Sequence, residues 1–83
     1  NEIEDWVNQH PAVREAAAIG IPDERRGERV KLFVVRKSES LSSDQIKEYC
    51  SEGLTAYKVP KEIVFVKDLP KSPIGKILRK ELK

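Results

Sequence analysis

The sequence predicts a single α+β domain in which helices pack on a small sheet of about three strands. Its 83 residues are enough for one domain but not for two hydrophobic cores. Stretches with helical spacing alternate with stretches of strand character, in the order helix, strand, strand, helix, strand, helix. With 39% hydrophobic and 36% charged residues, the composition indicates a thin domain with much exposed surface.

The first predicted helix lies at the N-terminus. Ile3, Trp6 and Val7 recur at i, i+3 and i+4, which places them on one helical face. The acidic first turn suits the positive end of the helix dipole. His10-Pro11 ends the helix, because the residue before a proline disfavours helical geometry.

Two strands are expected next, separated by a charged turn around 22–28. The first, from 13 to 21, is apolar on both faces and therefore resembles a buried strand. Its alternation assigns one face to four residues and the other to two: Val13, Ala17, Ile19 and Ile21 against Ala16 and Ala18. The second, from 30 to 35, alternates at strand period and is expected to be central.

The second half predicts a helix, a strand and a terminal helix. Ser42 and Gln45 form a capping-box signature at the start of the helix, and Gly53 is its expected stop. A short strand follows at 63–66. The helical spacing of four apolar residues then predicts a basic terminal helix, preceded by a loop at Pro73-Ile74-Gly75: Ile74, Ile77, Leu78 and Leu82.

Several classes of function are disfavoured by the composition. The longest apolar runs, 16–19 and 32–35, are far shorter than the roughly 20 residues of a membrane-spanning helix. One cysteine, Cys50, and one histidine, His10, cannot form an internal disulfide or a zinc cluster. No Ser/His/Asp set and no glycine-rich phosphate loop of known type is present. Because a single cysteine excludes an internal disulfide, we expect a reducing compartment, the cytoplasm.

Charge is distributed unevenly. Residues 1–57 carry 8 basic and 11 acidic side chains, whereas residues 58–83 carry 8 basic and 3 acidic ones. The basic tail is where anions are expected to bind. Within it, Gly75-Lys76 follows Ser72 and Pro73, so that a flexible cation lies on a loop with room for close backbone approach. Such a lysine suits a phosphate or a developing oxyanion, and a solvated surface turn is the competing interpretation.

Four segments resemble the adenylate-forming superfamily of acyl-CoA synthetases, luciferases and peptide-synthetase adenylation domains. Residues 69–82 match the closing motif P-K-[ST]-x-x-G-K-[IL]-x-R-[RK]-x-L at every defined position. Residues 20–28 are similar to G-x-P-D-x-x-x-G-E, residues 57–61 to the Y-K-x-P segment, and residues 1–4 to the end of P-x-E-I-E. The chain is identified by this order as a member of the superfamily's C-terminal domains, most similar to bacterial long-chain fatty-acid CoA ligases.

The resemblance implies specific roles. Lys76 matches the catalytic lysine of acyl-adenylate formation, Gly75 gives its backbone room, and Ser72 and Pro73 shape the loop. Arg26 and Lys58 match positions implied to contact CoA, with a charged surface turn and a cap of the preceding helix as their respective alternatives.

Other conspicuous side chains are interpreted as structural. Trp6 is expected in the core beside Ile3, Tyr49 and Cys50 on a packed helix face, and His10 at a helix end without a catalytic part.

The resemblance also implies what surrounds this chain. Residues 1–83 would be the C-terminal lid domain, and Asn1 a cut inside a longer chain that carries the hinge and the N-terminal ATP- and acid-binding domain. That domain would bind Mg²⁺, and the lid alone would be inactive. ATP and CoA are the expected cofactors, a carboxylic acid is the expected substrate, nucleic acid is not expected to bind, and peripheral membrane association is expected only of the complete enzyme.

Alternative functions stay open at this stage. The same motifs fit an aryl-acid CoA ligase, a luciferase-like enzyme or a carrier-loading adenylating enzyme. A different class is a freestanding basic module in which residues 58–83 bind nucleic acid or acidic lipid. The scarcity of aromatic residues in that tail argues against the module.

Overall fold

The computed structural model describes residues 2–25 and 27–82. The helices are α1 (Glu2–Asn8) and α2 (Ser43–Gly53), and the strands are β1 (Val13–Asp23), β2 (Gly27–Arg36) and β3 (Glu62–Phe65). Short 3-10 turns occur at Ala56–Lys58 and Arg79–Glu81. This order confirms the predicted α+β class and its first five elements.

The three strands form one sheet in the order β1-β2-β3, which confirms that β2 is central. β1 and β2 are antiparallel and pair from Val13 opposite Arg36 to Asp23 opposite Gly27. β3 runs parallel to β2, with Lys31 opposite Glu62 and Val34 opposite Phe65. A parallel neighbour needs a crossover connection, and α2 provides it.

A register shift in β1 changes which face Val13 occupies. The pairing with β2 is irregular between Val13 and Glu15, so one extra residue is accommodated there. Val13 consequently packs in the same buried cluster as Ala16 and Ala18, whereas Ala17 lies in the cluster on the other face. The predicted grouping of Val13 with Ala17 and Ile19 was therefore wrong, because strict alternation assumes an unbroken strand.

Helix α2 begins and ends where the sequence predicts. Ser42 Oγ accepts from the Gln45 N–H at 3.2 Å, and Gln45 Oε1 accepts from the Ser42 N–H at 2.8 Å, which completes the capping box. At the other end, the Leu54 N–H donates to the Cys50 carbonyl at 2.9 Å. Gly53 is the last helical residue, and Trp6 packs directly against its backbone.

Both faces of the sheet are covered. The helical face buries a cluster that includes Val7, Leu32, Val34, Ile46 and Cys50. The opposite face buries a smaller cluster of four residues with five half-buried neighbours: Ala17, Phe33, Val35 and Leu69, then Ile19, Val64, Val66, Ile77 and Leu82. The chain after β3 therefore forms a third layer over the sheet.

The predicted terminal helix was wrong. Residues 70–78 form a hairpin-like loop, followed by the 3-10 turn Arg79–Glu81. The expected loop at 73–75 is present, with Gly75 at a φ of 85°, but Ile77 and Leu78 pair with Lys71 and Pro70 of the first stem instead of beginning a helix. Ile77 packs under the sheet while Ile74 is 78% exposed, so the apolar residues do not share one helical face.

Candidate functional site

Lys76 lies at the end of a tight turn made by Ser72, Pro73, Ile74 and Gly75. The Gly75 N–H donates to the Ser72 carbonyl at 2.9 Å, and the Ser72 N–H donates to the Lys76 carbonyl at 2.8 Å. The Lys76 N–H donates to Ser72 Oγ at 3.2 Å. Proline in second position and glycine at positive φ are typical of such turns. The backbone of Lys76 is thus held while its side chain is exposed.

Both stems of this loop are anchored. On the first stem Leu69 is buried, and Lys71 forms an ion pair with Glu15 of β1. An antiparallel bridge joins Lys71 to Ile77 of the second stem. The Leu78 N–H donates to the Pro70 carbonyl at 2.8 Å. The loop that presents Lys76 is therefore fixed against β1 at its base.

A second anchor, Arg79 with Glu4, was not foreseen from the sequence. Arg79 Nε donates to Glu4 Oε2 at 2.9 Å, and Arg79 Nη2 also pairs with Glu4 Oε1. Glu4 Oε2 accepts from the backbone N–H of Ala18 in β1 at 2.7 Å. From the sequence, Glu4 was interpreted as a favourable charge in the first turn of a helix. The signal that could have indicated the pair is that Glu4 and Arg79 both occupy defined motif positions.

The electrostatics of this pair follow from its unequal burial. The Glu4 side chain is 8% exposed, whereas that of Arg79 is 47% exposed. The hydrogen bond to Glu4 raises the pKa of Arg79, with a smaller opposing effect of burial. Arg79 remains charged at any physiological pH. The buried carboxylate therefore has a permanent cationic partner and a backbone donor.

Lys58 lies in a different part of the domain and has a partner of its own. It forms an ion pair with Glu2 of α1, and its Nζ lies 5.8 Å from the centre of the Tyr57 ring. The hydrogen bond to Glu2 raises the pKa of Lys58. The alternative in which Lys58 caps the preceding helix was wrong, since the Leu54 N–H caps α2 and Lys58 reaches α1 instead.

Arg26, the other predicted CoA contact, lies outside the described residues. The turn it belongs to is bounded by Asp23 and Gly27, and Gly27 has a φ of 82°. Asp23 Oδ1 accepts from the Arg25 N–H at 2.9 Å, which tightens the turn.

The structure separates the Lys76 loop from the β1–β2 turn. The loop is anchored on β1 at Glu15 through Lys71, and the following Arg79 is held to β1 at Ala18 through Glu4. The turn begins after Asp23. At about 3.4 Å per residue, these anchors lie roughly 17 to 27 Å along the strand from the turn. The Lys76 loop is therefore anchored at a different level of β1 from the β1–β2 turn.

The segment at 56–61, which includes Lys58, lies close to the start of β2. Tyr57, which is 76% exposed, lines an open groove of about 440 Å³ with residues of β2 and of the segment before β3: Glu28, Arg29, Val30, Ala56, Val59 and Lys61. The Lys61 N–H donates to the Val30 carbonyl at 3.0 Å and fixes this arrangement. Its wall carries the cationic side chains of Arg29 and Lys61 together with the carboxylate of Glu28, and Arg29 forms an ion pair with Glu62 at 2.7 Å.

The residues interpreted as structural do pack as predicted. Trp6 stacks on Tyr49 with ring centres 4.8 Å apart, and its Nε1–H donates to the Tyr49 carbonyl at 2.8 Å. His10 meets Tyr49 edge-on, and its Nδ1 accepts from the Ala12 N–H at 3.0 Å. Cys50 is buried, and this burial raises the pKa of its thiol to about 11.

Metal clusters and membrane-spanning helices are absent from the described residues. Among residues 2–25 and 27–82, no group of three or more His, Cys, Asp or Glu side chains could hold a metal ion. None of the helices in the same ranges has the length and apolar character needed to cross a bilayer.

Comparison with protein families places this geometry in context. Residues 2–76 match the model of the AMP-binding enzyme C-terminal domain, which is most of the chain. The chain belongs to this family. The match extends from α1 to Lys76. It includes Glu4, all three strands of the sheet and the turn that presents Lys76.

Relatives of this AMP-binding C-terminal domain include CoA ligases. The chain is 54% identical over 83 residues to a long-chain-fatty-acid–CoA ligase of Salmonella typhimurium, covering all of this chain and 15% of that protein. A solved Mycobacterium tuberculosis fatty acyl CoA synthetase superposes with a TM-score of 0.90 at 43% identity, over 98% of this chain and 16% of that one. An anthranilate CoA ligase, AuaEII, solved with anthranoyl-AMP, gives a TM-score of 0.86 at 45% identity, over 98% and 16%.

The chain thus spans about 15% of the length of the curated ligases it matches.

Proposed function

We propose that this domain is the mobile C-terminal part of an ATP-dependent acid–CoA ligase and that Lys76 supplies the cation for acyl-adenylate formation. The observation that carries the proposal is the preformed hairpin loop at 72–76, which holds the Lys76 backbone by two hydrogen bonds to Ser72 and leaves its side chain exposed. An N-terminal domain of the same protein, absent from these 83 residues, would bind ATP, Mg²⁺ and the acid.

The chemistry of adenylation accounts for a lysine at this place. The substrate carboxylate attacks the α-phosphorus of ATP, an acyl-phosphate bond forms, and pyrophosphate leaves. Negative charge accumulates on the phosphate oxygens in the transition state, where a fixed cation stabilises it most effectively in a site without bulk water. An exposed loop can provide this only when the domain closes over the N-terminal domain. The exposed Ile74 beside Lys76 is suited to that burial.

The second half-reaction is proposed to use another face of the domain. The CoA thiol attacks the acyl carbonyl carbon, a thioester forms, and AMP leaves. Arg26 and Lys58 are proposed to contact the phosphates of CoA, and Tyr57 beside Lys58 lines the groove that also carries Arg29 and Lys61. Lys58 would have to exchange its ion pair with Glu2 for that contact. The distance along β1 between the loop and the turn supports two separate closed orientations of the domain.

The proposed acid is a fatty acid, which is supported by the 54% identity to a long-chain-fatty-acid–CoA ligase. An aromatic acid is a second candidate, because the solved anthranilate CoA ligase is 45% identical over almost the whole domain. The acid would bind in the N-terminal domain, so these two candidates are distinguished by profiling acids with the complete protein.

The first test removes the ammonium group of Lys76 in the complete protein. Lys76→Ala is expected to lower acyl-adenylate formation, measured as acid-dependent exchange of pyrophosphate into ATP, by roughly 100-fold or more. Thioester formation from supplied acyl-adenylate and CoA should change only a few-fold. Lys67→Ala, at another exposed lysine, is the matched control and should leave both rates near wild type. Equal losses in the two half-reactions would contradict the role assigned to Lys76.

A further inference from the structure

Arg79 and Glu4 connect the two ends of the described chain. Their contact joins residues 75 positions apart. Two nitrogens of the guanidinium group, Nε and Nη2, donate to the two oxygens of one carboxylate. Bidentate pairs of this kind restrict orientation more strongly than a single ion pair does. Glu4 is also hydrogen-bonded to the Ala18 N–H of β1 at 2.7 Å, so α1, β1 and the C-terminal segment meet at this carboxylate.

Arg79 is close to Lys76 along a segment with little freedom. Of the two residues between them, Ile77 packs on the sheet and bridges Lys71, and the Leu78 N–H donates to the Pro70 carbonyl at 2.8 Å. A displacement of Arg79 would therefore move the second stem of the loop, from which the Lys76 side chain projects.

The burial of Glu4 gives this contact a cost when it is broken. A carboxylate that is 8% exposed loses most of its hydration, and removing Arg79 takes away two charge-assisted hydrogen bonds that compensate for this loss. The segment would then have to rearrange so that water or another cation reaches Glu4. The intact pair thus favours one position of the loop relative to α1.

We propose that Arg79 and Glu4 are positioning residues that hold the Lys76 loop in register with α1 for adenylation. The inference rests on the proposed function of Lys76. α1 is the element through which the domain would be joined to the preceding part of the protein. The pair therefore makes Lys76 move together with α1 when the domain closes. Without the pair, the loop could change its position relative to α1.

The test compares half-reactions in the complete protein. Arg79→Ala and Glu4→Gln are each expected to lower adenylation about tenfold or more, because misplacement of a catalytic group by about 1 Å costs up to 100-fold. Thioester formation from supplied acyl-adenylate should fall less than threefold. Arg79→Lys, which keeps the charge but not the fork, should recover part of the adenylation rate. Equal losses in both half-reactions would overturn the proposal.

A double substitution separates positioning from a purely structural role. If Arg79 acts through Lys76, Arg79→Ala added to Lys76→Ala should change the residual adenylation rate less than about twofold. If Arg79→Ala merely weakens folding, it should lower the adenylation rate by the same factor in the Lys76→Ala background as in the wild-type background. That outcome would overturn the proposal.

Arg36 is the matched control. Its Nη1 donates to the Leu41 carbonyl at 2.8 Å and its guanidinium lies 4.2 Å from the Phe65 ring centre, away from the contacts of the loop. Arg36→Gln should leave the ratio of the half-reactions unchanged. If Lys76→Ala lowers adenylation and Arg79→Ala does not, the positioning role alone fails. If Lys76→Ala leaves adenylation unchanged, both the proposed function and this inference fail.

Discussion

Gly75 and Gly27 share an unusual backbone conformation. Within 2–25 and 27–82 they are the residues with positive φ, at 85° and 82°. A Cβ added at either position would meet no atom within 4 Å, so space does not require glycine there. The left-handed backbone does, because an L side chain in that region costs roughly 1 to 2 kcal/mol. One of these glycines precedes Lys76 and the other closes the β1–β2 turn.

Gly75→Ala is therefore expected to change adenylation more than thioester formation. The strain is relieved most readily by reopening the turn at Ser72, which moves Lys76. We expect adenylation by the complete protein, measured by pyrophosphate exchange, to fall about tenfold, as for a misplaced catalytic group. Gly27→Ala is matched in φ and in free space and should destabilise the domain similarly without this selective loss. Equal effects of the two variants on adenylation would argue against a role of the Gly75 turn.

At the scale of elements, α1 and α2 are joined by a close contact between Trp6 and Gly53. A Cβ on Gly53 would lie 2.1 Å from the Trp6 ring, which is far inside van der Waals contact. The ring cannot move easily, because Trp6 and Tyr49 stack and exchange two hydrogen bonds with each other's backbone carbonyls. Gly53 was predicted as a helix stop, and the packing of two helices is its second function.

Gly53→Ala should lower the free energy of unfolding by about 1 kcal/mol. Overpacking costs about 1 to 3 kcal/mol, whereas alanine gains at most about 1 kcal/mol over glycine in helix propensity. Chemical denaturation measures the difference. Gly20→Ala is the control, because the atoms nearest its Cβ would be those of the exposed carboxylate of Glu28, and it should change stability by less than about 0.5 kcal/mol. Adding Trp6→Phe should reduce the penalty, and a penalty independent of residue 6 would contradict this explanation.

At the scale of the whole molecule, the sheet is covered on one face by α1 and α2 and on the other by the chain after β3. A thin domain of this kind depends on complete coverage, since few residues separate its core from water. Cys50 lies in the helical layer and is fully buried. Its thiol must stay neutral there, and burial raises its pKa from 9.0 to about 11.

Stability is therefore expected to fall at alkaline pH. Because the folded pKa of Cys50 is the higher one, its contribution is complete below pH 9.0 and is lost as pH rises towards about 11. Each unit of pKa difference corresponds to about 1.4 kcal/mol. Denaturation midpoints at pH 7 to 10.5 measure the loss, and Cys50→Ala should make the decline shallower. Identical slopes for the two proteins would exclude Cys50 as its cause. The pKa of Tyr49, raised mainly by burial, contributes in the same direction and remains in the variant.

Local patterns predicted most of the elements and the loop that carries Lys76. The capping box at Ser42 and the alternation in β2 depend on neighbouring residues only, and both were confirmed. The terminal helix failed because apolar spacing at 74–82 resembles a helix, while Gly75 and the apolar face of the sheet impose a different path. Val13 was assigned to the wrong face because a bulge depends on how two strands pair.

The sequence by itself determined the α+β class, the family motifs and the selection of Lys76 as the candidate lysine. Each of these depends on residues that lie close together along the chain. Only the tertiary structure decided that Glu4 holds Arg79, that Lys58 pairs with Glu2 and that Gly53 must admit the Trp6 ring. The partners in these contacts are 47 or more positions apart. No local preference encodes such contacts, because they arise only when the hydrophobic faces of the sheet bring distant segments together.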